Sequence, residues 1–295
     1  MKTANSVWPW PARWRHGLWL SAFAGLAALP VLKPGRGKVW AAGGAVVNGW
    51  LAIPDSFAAE SVAHTDFDSV TIDMQHGMVD YQAALGMLQG ISTTDKTPLV
   101  RVPWNDPIPI MKALDAGAFG IVCPMINNRE GCEKFVGAAH YFPDGYRSFG
   151  PLRAGLYAGA DYYAHANSTI ITMAMIETLD SLSNLDAIMS TPGLDGIYIG
   201  PSDLAISLGH PPVADPTIPE VVETIDKILD AAKRNNVVPG IHCATGDMAK
   251  RMIAKGFRFC TISNEVRLMM AKCNEEVAAA KGAEQSSEER GGRVY

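Results

Sequence analysis

Short apolar, β-branched runs alternate with stretches of helical spacing along most of this chain, and this alternation constrains the fold more than any other feature. Such alternation predicts parallel strands joined by crossover helices. Eight units without an internal repeat predict a single (β/α)8 TIM barrel, with a doubly wound sheet as the alternative. The predicted strands are residues 46–53, 69–74, 98–103, 120–125, 170–177, 196–201, 238–243 and 259–263. The predicted helices include residues 80–91, 107–116, 129–140, 180–190, 218–235 and 247–254, and a further helix after the last strand contains Lys272 and Lys281.

The composition is typical of a chain that folds around one large hydrophobic core, and it argues against some classes of binding partner. Hydrophobic residues make up 48% of the 295-residue chain and charged residues 19%, which excludes disorder over most of its length. The net charge of −5 argues against nucleic acid as a partner. The five cysteines contain no Cys-x-x-Cys pair, so we expect neither a disulfide framework nor a zinc knuckle, and a reducing compartment is the default.

The two ends of the chain differ from the middle. No acidic residue precedes Asp55, and residues 17–32 form an apolar run that is shorter than the roughly 20 residues of a membrane span. Three interpretations of this lead stay open: a signal peptide, an organellar presequence, or a start codon placed too far upstream. The polar stretch from Glu284 to Tyr295 is interpreted as a disordered tail. We expect no stable membrane span and a cytoplasmic protein, or an organellar one if the lead is a genuine presequence.

Polar side chains collect at the carboxyl ends of the predicted strands. In a (β/α)8 barrel those ends form the mouth that carries the active site. We therefore expect these side chains to face one another around a common mouth. They are Asp73, Gln75, His76, Arg101, Glu177, Asp203, His242 and Asn264.

Glu177 and Asp203 follow consecutive strands, so the barrel predicts two carboxylates side by side. Hard oxygen ligands with room for water suit Mg²⁺ or Mn²⁺. The alternative is that each carboxylate caps a helix, Glu177 the helix that begins near Leu179 and Asp203 the helix of the GPSDLA segment. Both interpretations stay open on the residues alone.

Three further side chains suggest chemistry at the same mouth. Arg101 interrupts an apolar strand and needs an anionic partner, which is either an internal carboxylate or a substrate carboxylate or enolate. His76 follows Asp73 by three residues, so we expect the carboxylate to orient the imidazole and raise its basicity. His242 has no such partner in the sequence, and we interpret it as a buried mouth residue without an assigned role.

No lysine is expected at the mouth, because each lysine of the barrel region precedes a predicted strand or lies on a predicted helix. A Schiff-base aldolase needs such a lysine, so carbonyl chemistry here would need a metal ion as the electrophile. The chain also lacks the Gly-x-Gly-x-x-Gly, Walker and Gly-x-Ser-x-Gly motifs. Nucleotide-binding and serine-hydrolase functions are therefore without support.

Six segments, in this order and at these spacings, resemble the HpcH/HpaI aldolase family: IDMQHG, LVRVPWND, LDAGAFGIVCPM, FPDGYRSFG, AMIET and GIYIGPSDLAISLG. The resemblance implies an aldolase domain over residues 36–281, with an extension over residues 1–35 and a disordered tail over residues 282–295. It also places residues 39–41, which otherwise resemble a signal-peptide cleavage site, in the opening helix of the domain. The implied activity is that of a class II pyruvate aldolase, acting on a 4-hydroxy-2-oxoheptanedioate or 2-keto-3-deoxy-sugar acid.

The resemblance implies a catalytic role for each matching mouth residue. Glu177 and Asp203 would hold a divalent metal ion, Mg²⁺, Mn²⁺ or Co²⁺. Arg101 would bind the keto oxygen of pyruvate and stabilise its enolate. His76 would be the base, directly or through a metal-bound water, with Asp73 orienting it.

Substrate binding and assembly are implied by further matches. Backbone amides around Gly200, Ser202 and Asp203 would receive the substrate carboxylate, since Pro201 lacks an N–H. Asp115 would reach the active site of a neighbouring subunit, which implies a homo-oligomer, a trimer or hexamer.

Two residues depart from the family pattern. Met175 stands where relatives commonly have Gln, which removes a polar group near the metal, and Ser148 replaces a Gly in the loop that screens aldehydes. We predict a class II aldolase that acts on a small-molecule oxo acid. Oxaloacetate decarboxylation through the same enolate is the neighbouring alternative, and a non-catalytic organic-acid binding protein is the alternative from another class. Residues 1–34 supply no mouth residue and are predicted to be dispensable for the chemistry.

Overall fold

The chain closes into a barrel of parallel strands. The computed structural model describes residues 38–41 and 43–282. The strands are β1 (Val46–Leu51), β2 (Ser69–Asp73), β3 (Thr97–Arg101), β4 (Gly120–Cys123), β5 (Ile171–Ile176), β6 (Gly196–Ile199), β7 (Val238–Cys243) and β8 (Phe259–Ile262). Each strand pairs with its sequence neighbours, and β8 pairs with β1. The predicted (β/α)8 barrel is confirmed, and the doubly wound alternative is excluded because an open sheet would leave two unpaired edges.

Helices connect the strands and pack on the outside of the sheet. In the described part of the chain they are α1 (Lys38–Ala41), α2 (Ser56–Ala63), α3 (Tyr81–Ile91), α4 (Pro107–Asp115), α5 (Arg129–Ala139), α6 (Leu152–Ala158), α7 (Tyr162–Thr169), α8 (Leu179–Ser183), α9 (Leu185–Met189), α10 (Pro201–Ser207), α11 (Pro219–Arg234), α12 (Gly246–Lys255) and α13 (Glu265–Ala280).

The helix predicted over residues 180–190 is in fact two short helices, α8 and α9. The chain breaks at Asn184, whose Nδ2 donates to the carbonyls of Asn127 at 3.0 Å and Asp180 at 2.9 Å. Helix α2 follows the first strand, where a helix is expected without stated bounds, and it lacks a strong apolar period because it buries only Ala59 and Ala63. Its start is set by the Asp55 carboxylate, which accepts from the Ala58 N–H at 2.8 Å.

The inside of the barrel contains a buried polar group beneath the mouth. Asn48 on β1 accepts hydrogen bonds from the hydroxyls of Ser69 at 2.8 Å and Thr71 at 3.1 Å, and its Nδ2 donates to Thr261 at 3.0 Å. All four side chains are fully buried, and the amide of Asn48 is therefore held in one orientation by its neighbours. The rest of the interior is apolar, and this cluster comprises Val46, Trp50, Leu99, Val122, Ile171, Met173, Met175, Tyr198, Val238 and Phe259.

Helix α1 closes the amino-terminal end of the barrel. Val39 and Trp40 pack against the interior cluster, and the Trp40 Nε1 donates to the carbonyl of Arg258 at 2.8 Å, just before β8. Residues 39–41 thus belong to the domain, as the family resemblance implies. The predicted extension over residues 1–35 lies outside the described residues, as does the predicted tail beyond Gly282. Within the described ranges, no helix has the length and apolar character needed to cross a membrane.

Candidate active site

Asp73 and Arg101 form a buried ion pair at the mouth of the barrel. They are register partners at the ends of β2 and β3. The Arg101 Nε donates to one Asp73 carboxylate oxygen at 2.8 Å and its Nη2 to the other at 2.6 Å. Burial alone would raise the pKa of Asp73, but the hydrogen bonds and charge of Arg101 hold it below its usual value. The anionic partner that the sequence demands of Arg101 is therefore an internal carboxylate.

This ion pair still leaves Arg101 able to bind a ligand. Burial would lower the pKa of Arg101, but Asp73 raises it, so the guanidinium stays charged. Its Cζ lies 4.8 Å from the ring centroid of Trp50, whose Nε1 donates to Asp73 at 3.2 Å. Among the described residues, the Arg101 Nη1 has no hydrogen-bond partner, and two N–H groups therefore remain for an anionic oxygen.

Glu177 and Asp203 lie on either side of Gly200. Glu177 follows β5 and is buried, whereas Asp203 lies in the first turn of α10. A Cβ atom placed on Gly200 would lie 3.0 Å from the Glu177 Oε2 and 3.6 Å from the Asp203 Oδ2. The two carboxylates therefore face a common space, as predicted.

Neither carboxylate caps a helix, so both capping interpretations are wrong. The N-cap of α8 is Thr178, whose hydroxyl accepts from the Ser181 N–H at 3.1 Å, and the N-cap of α10 is Gly200. Glu177 instead accepts from the Met125 N–H at 2.9 Å through Oε1. Met125 has a φ of 57°, a left-handed conformation that non-glycine residues rarely adopt and that concentrates at functional sites.

The electrostatics of this acidic pair fit a divalent cation. Burial, and then the nearby charge of Asp203, raise the pKa of Glu177 to about 7, against the opposing effects of the Met125 N–H and Arg101. A cation between the two carboxylates would supply the missing positive charge. The described residues contain no group of three or more His, Cys, Asp or Glu side chains suited to a metal ion, so water or substrate would complete the coordination.

His76 lies at the rim of the mouth rather than on Asp73. The Asp73 Oδ1 accepts from the backbone N–H groups of Gln75 at 3.0 Å and His76 at 3.2 Å, so it orders the loop and not the imidazole. The expected contact between the carboxylate and the ring is therefore wrong. The ring is exposed and has no hydrogen-bond partner among the described residues. Gly77 is required here, because a Cβ would collide with the carbonyl of Asp73.

Asp115 is a predicted site residue that lies away from this mouth. It ends α4 and accepts from the Nη2 of Arg147 at 2.6 Å, and Arg147 is a buried residue that also donates to the Tyr162 hydroxyl at 3.0 Å. This pair orders the segment between α5 and α6 that includes the exposed Ser148. Its contribution to a neighbouring subunit stays a prediction.

Sequence reasoning missed two aromatic residues at the mouth. Trp50 stacks on Tyr198 with a centroid separation of 5.6 Å, and the Tyr198 hydroxyl lies 2.9 Å from the Nδ1 of His242. His242 is mostly buried, as interpreted, but it has a side-chain partner in Tyr198 that its sequence neighbourhood does not indicate. The alternation of inward-facing residues along β1 and β6 could have indicated that Trp50 and Tyr198 face the interior.

Met175 is buried, with its Cε 3.3 Å from the Cβ position of Gly200, so an apolar group does pack beside the acidic pair.

Comparison with known proteins agrees with this site. The sequence profile of the HpcH/HpaI aldolase/citrate lyase family matches residues 49–271. A protein of Rhizorhabdus wittichii named hydroxypyruvate/pyruvate aldolase is 41% identical, over 82% of this chain and 96% of its own length. A 4-hydroxy-2-oxo-heptane-1,7-dioate aldolase of Salmonella dublin is 34% identical, over 80% of this chain and 90% of its own length.

A solved structure supports the same relationship. The crystal structure of an HpcH/HpaI aldolase/citrate lyase family protein from Burkholderia cenocepacia J2315 matches with a TM-score of 0.76 and 28% identity, covering 80% of this chain and 95% of that one. The resemblance that the six sequence segments indicate is thereby confirmed. The chain belongs to the HpcH/HpaI aldolase/citrate lyase family.

Proposed function

We propose that this chain is a class II aldolase that cleaves a 4-hydroxy-2-oxo acid into pyruvate and an aldehyde, reversibly. The observation that carries the proposal is that the charged Arg101 and the carboxylates of Glu177 and Asp203 share one barrel mouth. Among the described residues, no lysine lies at the carboxyl end of a strand. Family membership makes the chain a carbon–carbon lyase and sets aside a non-catalytic binding protein.

Glu177 and Asp203 would hold the divalent metal, Mg²⁺ or Mn²⁺ with Co²⁺ as a substitute. The fit rests on two hard oxygen donors around Gly200, the buried Glu177 and Asp203 in the first turn of α10. When bound, such an ion withdraws electrons from the 2-oxo group of the substrate.

The protein's own residues supply the remaining groups. The free Nη1 of Arg101 would donate to the oxo oxygen as enolate charge develops there, and Asp73 and Trp50 fix the guanidinium in place beforehand. The backbone N–H groups of Ser202 and Asp203 begin α10, where no intrahelical acceptor exists, and would receive the substrate carboxylate.

His76 would take the proton from the 4-hydroxyl during cleavage and return it during synthesis. The support is an exposed imidazole at the rim that is free to meet the aldehyde half of the substrate. The absence of an orienting carboxylate on this ring favours a second candidate function, oxaloacetate decarboxylation, because that reaction forms the same enolate without a base at this position.

We also propose that the chain forms a homo-oligomer, a trimer or hexamer, with Asp115 at the subunit boundary. The support is an apolar exposed patch next to the Asp115–Arg147 pair, in which Leu152 and Leu156 are 85% and 89% exposed. Apolar patches of this kind commonly mark interfaces. Light scattering after size exclusion measures the assembly, and a monomer would contradict the proposal.

The aldolase assignment is tested by pyruvate release from a panel of 4-hydroxy-2-oxo acids and from oxaloacetate, after chelation and after adding Mg²⁺, Mn²⁺ or Co²⁺. We expect metal-dependent pyruvate formation from at least one hydroxy-oxo acid. Turnover of oxaloacetate alone would replace the aldolase by the decarboxylase. Full activity of the chelator-treated protein would contradict both.

A further inference from the structure

One inward side chain at the mouth has no role in the chemistry proposed above. His242 lies near the end of β7, and it is partly exposed although Trp50, Asp73 and Arg101 around it are buried. Its imidazole stands perpendicular to the Trp50 ring at a centroid distance of 5.3 Å. The ring of His242 and the guanidinium of Arg101 thus both lie against Trp50.

A chain of hydrogen bonds begins in the buried polar layer and ends on this imidazole. The Asn48 amide donates to the Thr261 hydroxyl at 3.0 Å, and the Thr261 hydroxyl is in turn hydrogen-bonded to Tyr198. The Tyr198 hydroxyl lies 2.9 Å from the His242 Nδ1. The His242 Nδ1 accepts this hydrogen bond when the ring carries its proton on Nε2, and donates it when the proton is on Nδ1.

The surroundings of His242 favour a neutral ring. Burial, and then the charge of Arg101, lower the pKa of His242 to about 4, with Arg267 adding to this effect and Asp73 opposing it. A neutral imidazole whose Nδ1 accepts a hydrogen bond carries its proton on Nε2. Among the described residues the Nε2 has no hydrogen-bond partner, and it is not one of their buried unpaired atoms, so this atom faces the open mouth.

We propose that His242 is a specificity-determining residue, whose Nε2–H donates to a hydroxyl on the three-carbon 2-oxo acid and favours a hydroxylated nucleophile over its methyl counterpart. The inference rests on the proposed function, because Arg101 must hold the oxo group. The guanidinium of Arg101 and the ring of His242 lie 4.8 Å and 5.3 Å from the centroid of Trp50, and a substituent on the neighbouring carbon would reach the imidazole. A site that hydrogen-bonds this hydroxyl binds the ligand without it less tightly.

The test compares two nucleophiles, hydroxypyruvate and pyruvate, in the aldol reaction catalysed by the metal-loaded full chain. Propanal is the aldehyde in both reactions because it carries no hydroxyl. We expect the ratio of their kcat/KM values to fall about tenfold in His242→Phe, the loss of one neutral hydrogen bond. His242→Gln retains an N–H donor and is expected to recover most of the ratio. An unchanged ratio in a folded His242→Phe protein, or a change that follows a hydroxyl on the aldehyde instead, would overturn the proposal.

A measurement independent of turnover tests the tautomer itself. Long-range ¹H–¹⁵N spectra of the imidazole, assigned with the His242→Gln protein, are expected to show Nε2–H from pH 6 to 8 and a mixture of tautomers in Tyr198→Phe. A wild-type ring protonated on Nδ1, or one that titrates near pH 6.5, would overturn the inference. Absence of turnover with both nucleophiles would instead contradict the proposed function, and the spectra would still decide the tautomer.

Discussion

Gly200→Ala probes the space between Glu177 and Asp203 without altering either carboxylate. The new methyl group would lie 3.0 Å from the Glu177 Oε2 and 3.3 Å from the Met175 Cε, where 3.4 Å or more is ordinary contact. Glu177 must therefore move by a few tenths of an ångström. Mg²⁺ requires oxygen ligands at about 2.0–2.1 Å in near-ideal geometry, so this displacement is a substantial fraction of a bond length. We expect metal affinity to fall roughly 10- to 100-fold, the range seen when groups that orient metal ligands are lost.

Calorimetric titration of Mn²⁺ into the chelator-treated protein measures this loss. Gly246→Ala is the matched control, because Gly246 also stands at a helix start and its Cβ would meet nothing within 4 Å. Gly200 is an N-cap, where Ala is disfavoured, so a stability loss of about 1 kcal/mol is expected alongside and is measured by thermal unfolding. A folded Gly200→Ala protein that binds Mn²⁺ as tightly as wild type would refute the placement of the metal.

Three further predictions follow from the same mouth. Asp73→Asn leaves the buried Arg101 without its counter-charge and is expected to destabilise the fold by about 3–5 kcal/mol in urea unfolding; a loss below 1 kcal/mol would contradict this. His76→Ala is expected to slow aldol cleavage by roughly 10²- to 10⁴-fold and oxaloacetate decarboxylation less, whereas equal losses would show that His76 only positions substrate. His242 is neutral in the folded protein, whereas in the unfolded chain it takes up a proton as the pH drops below about 6.5. The free energy of unfolding is therefore expected to fall by about 3 kcal/mol between pH 6.5 and pH 4, and His242→Phe is expected to flatten this part of its pH profile.

The barrel and most of its mouth could be predicted from the sequence. Parallel strands that are buried on both faces consist of apolar runs, and the polar residues at their carboxyl ends are therefore easy to identify. Asp73, Arg101, Glu177 and His242 all lie at or near the strand ends where the sequence places them. The aldolase class was also predicted and is confirmed by the family and its relatives. The metal, the site roles and the assembly stay predictions.

The partners of these side chains could not be predicted, because they depend on packing between distant segments. Spacing along the chain pairs Asp73 with His76, but the register of β2 and β3 pairs it with Arg101 instead. Likewise, the partner of His242 is Tyr198, which lies 44 positions earlier in the chain and on the neighbouring strand.

Direct measurement of metal binding tests the central claim, that Glu177 and Asp203 hold the ion on which carbon–carbon cleavage depends. Mn²⁺ is titrated into the chelator-treated wild-type, Glu177→Gln and Asp203→Asn proteins, and electron paramagnetic resonance measures the Mn²⁺ that stays free. The difference gives the number of Mn²⁺ sites in each protein. The account predicts one tight site per chain in wild type, lost in both variants together with pyruvate release from the hydroxy-oxo acid. Undiminished Mn²⁺ binding in the two folded variants, or cleavage by wild type that holds no metal, would contradict it.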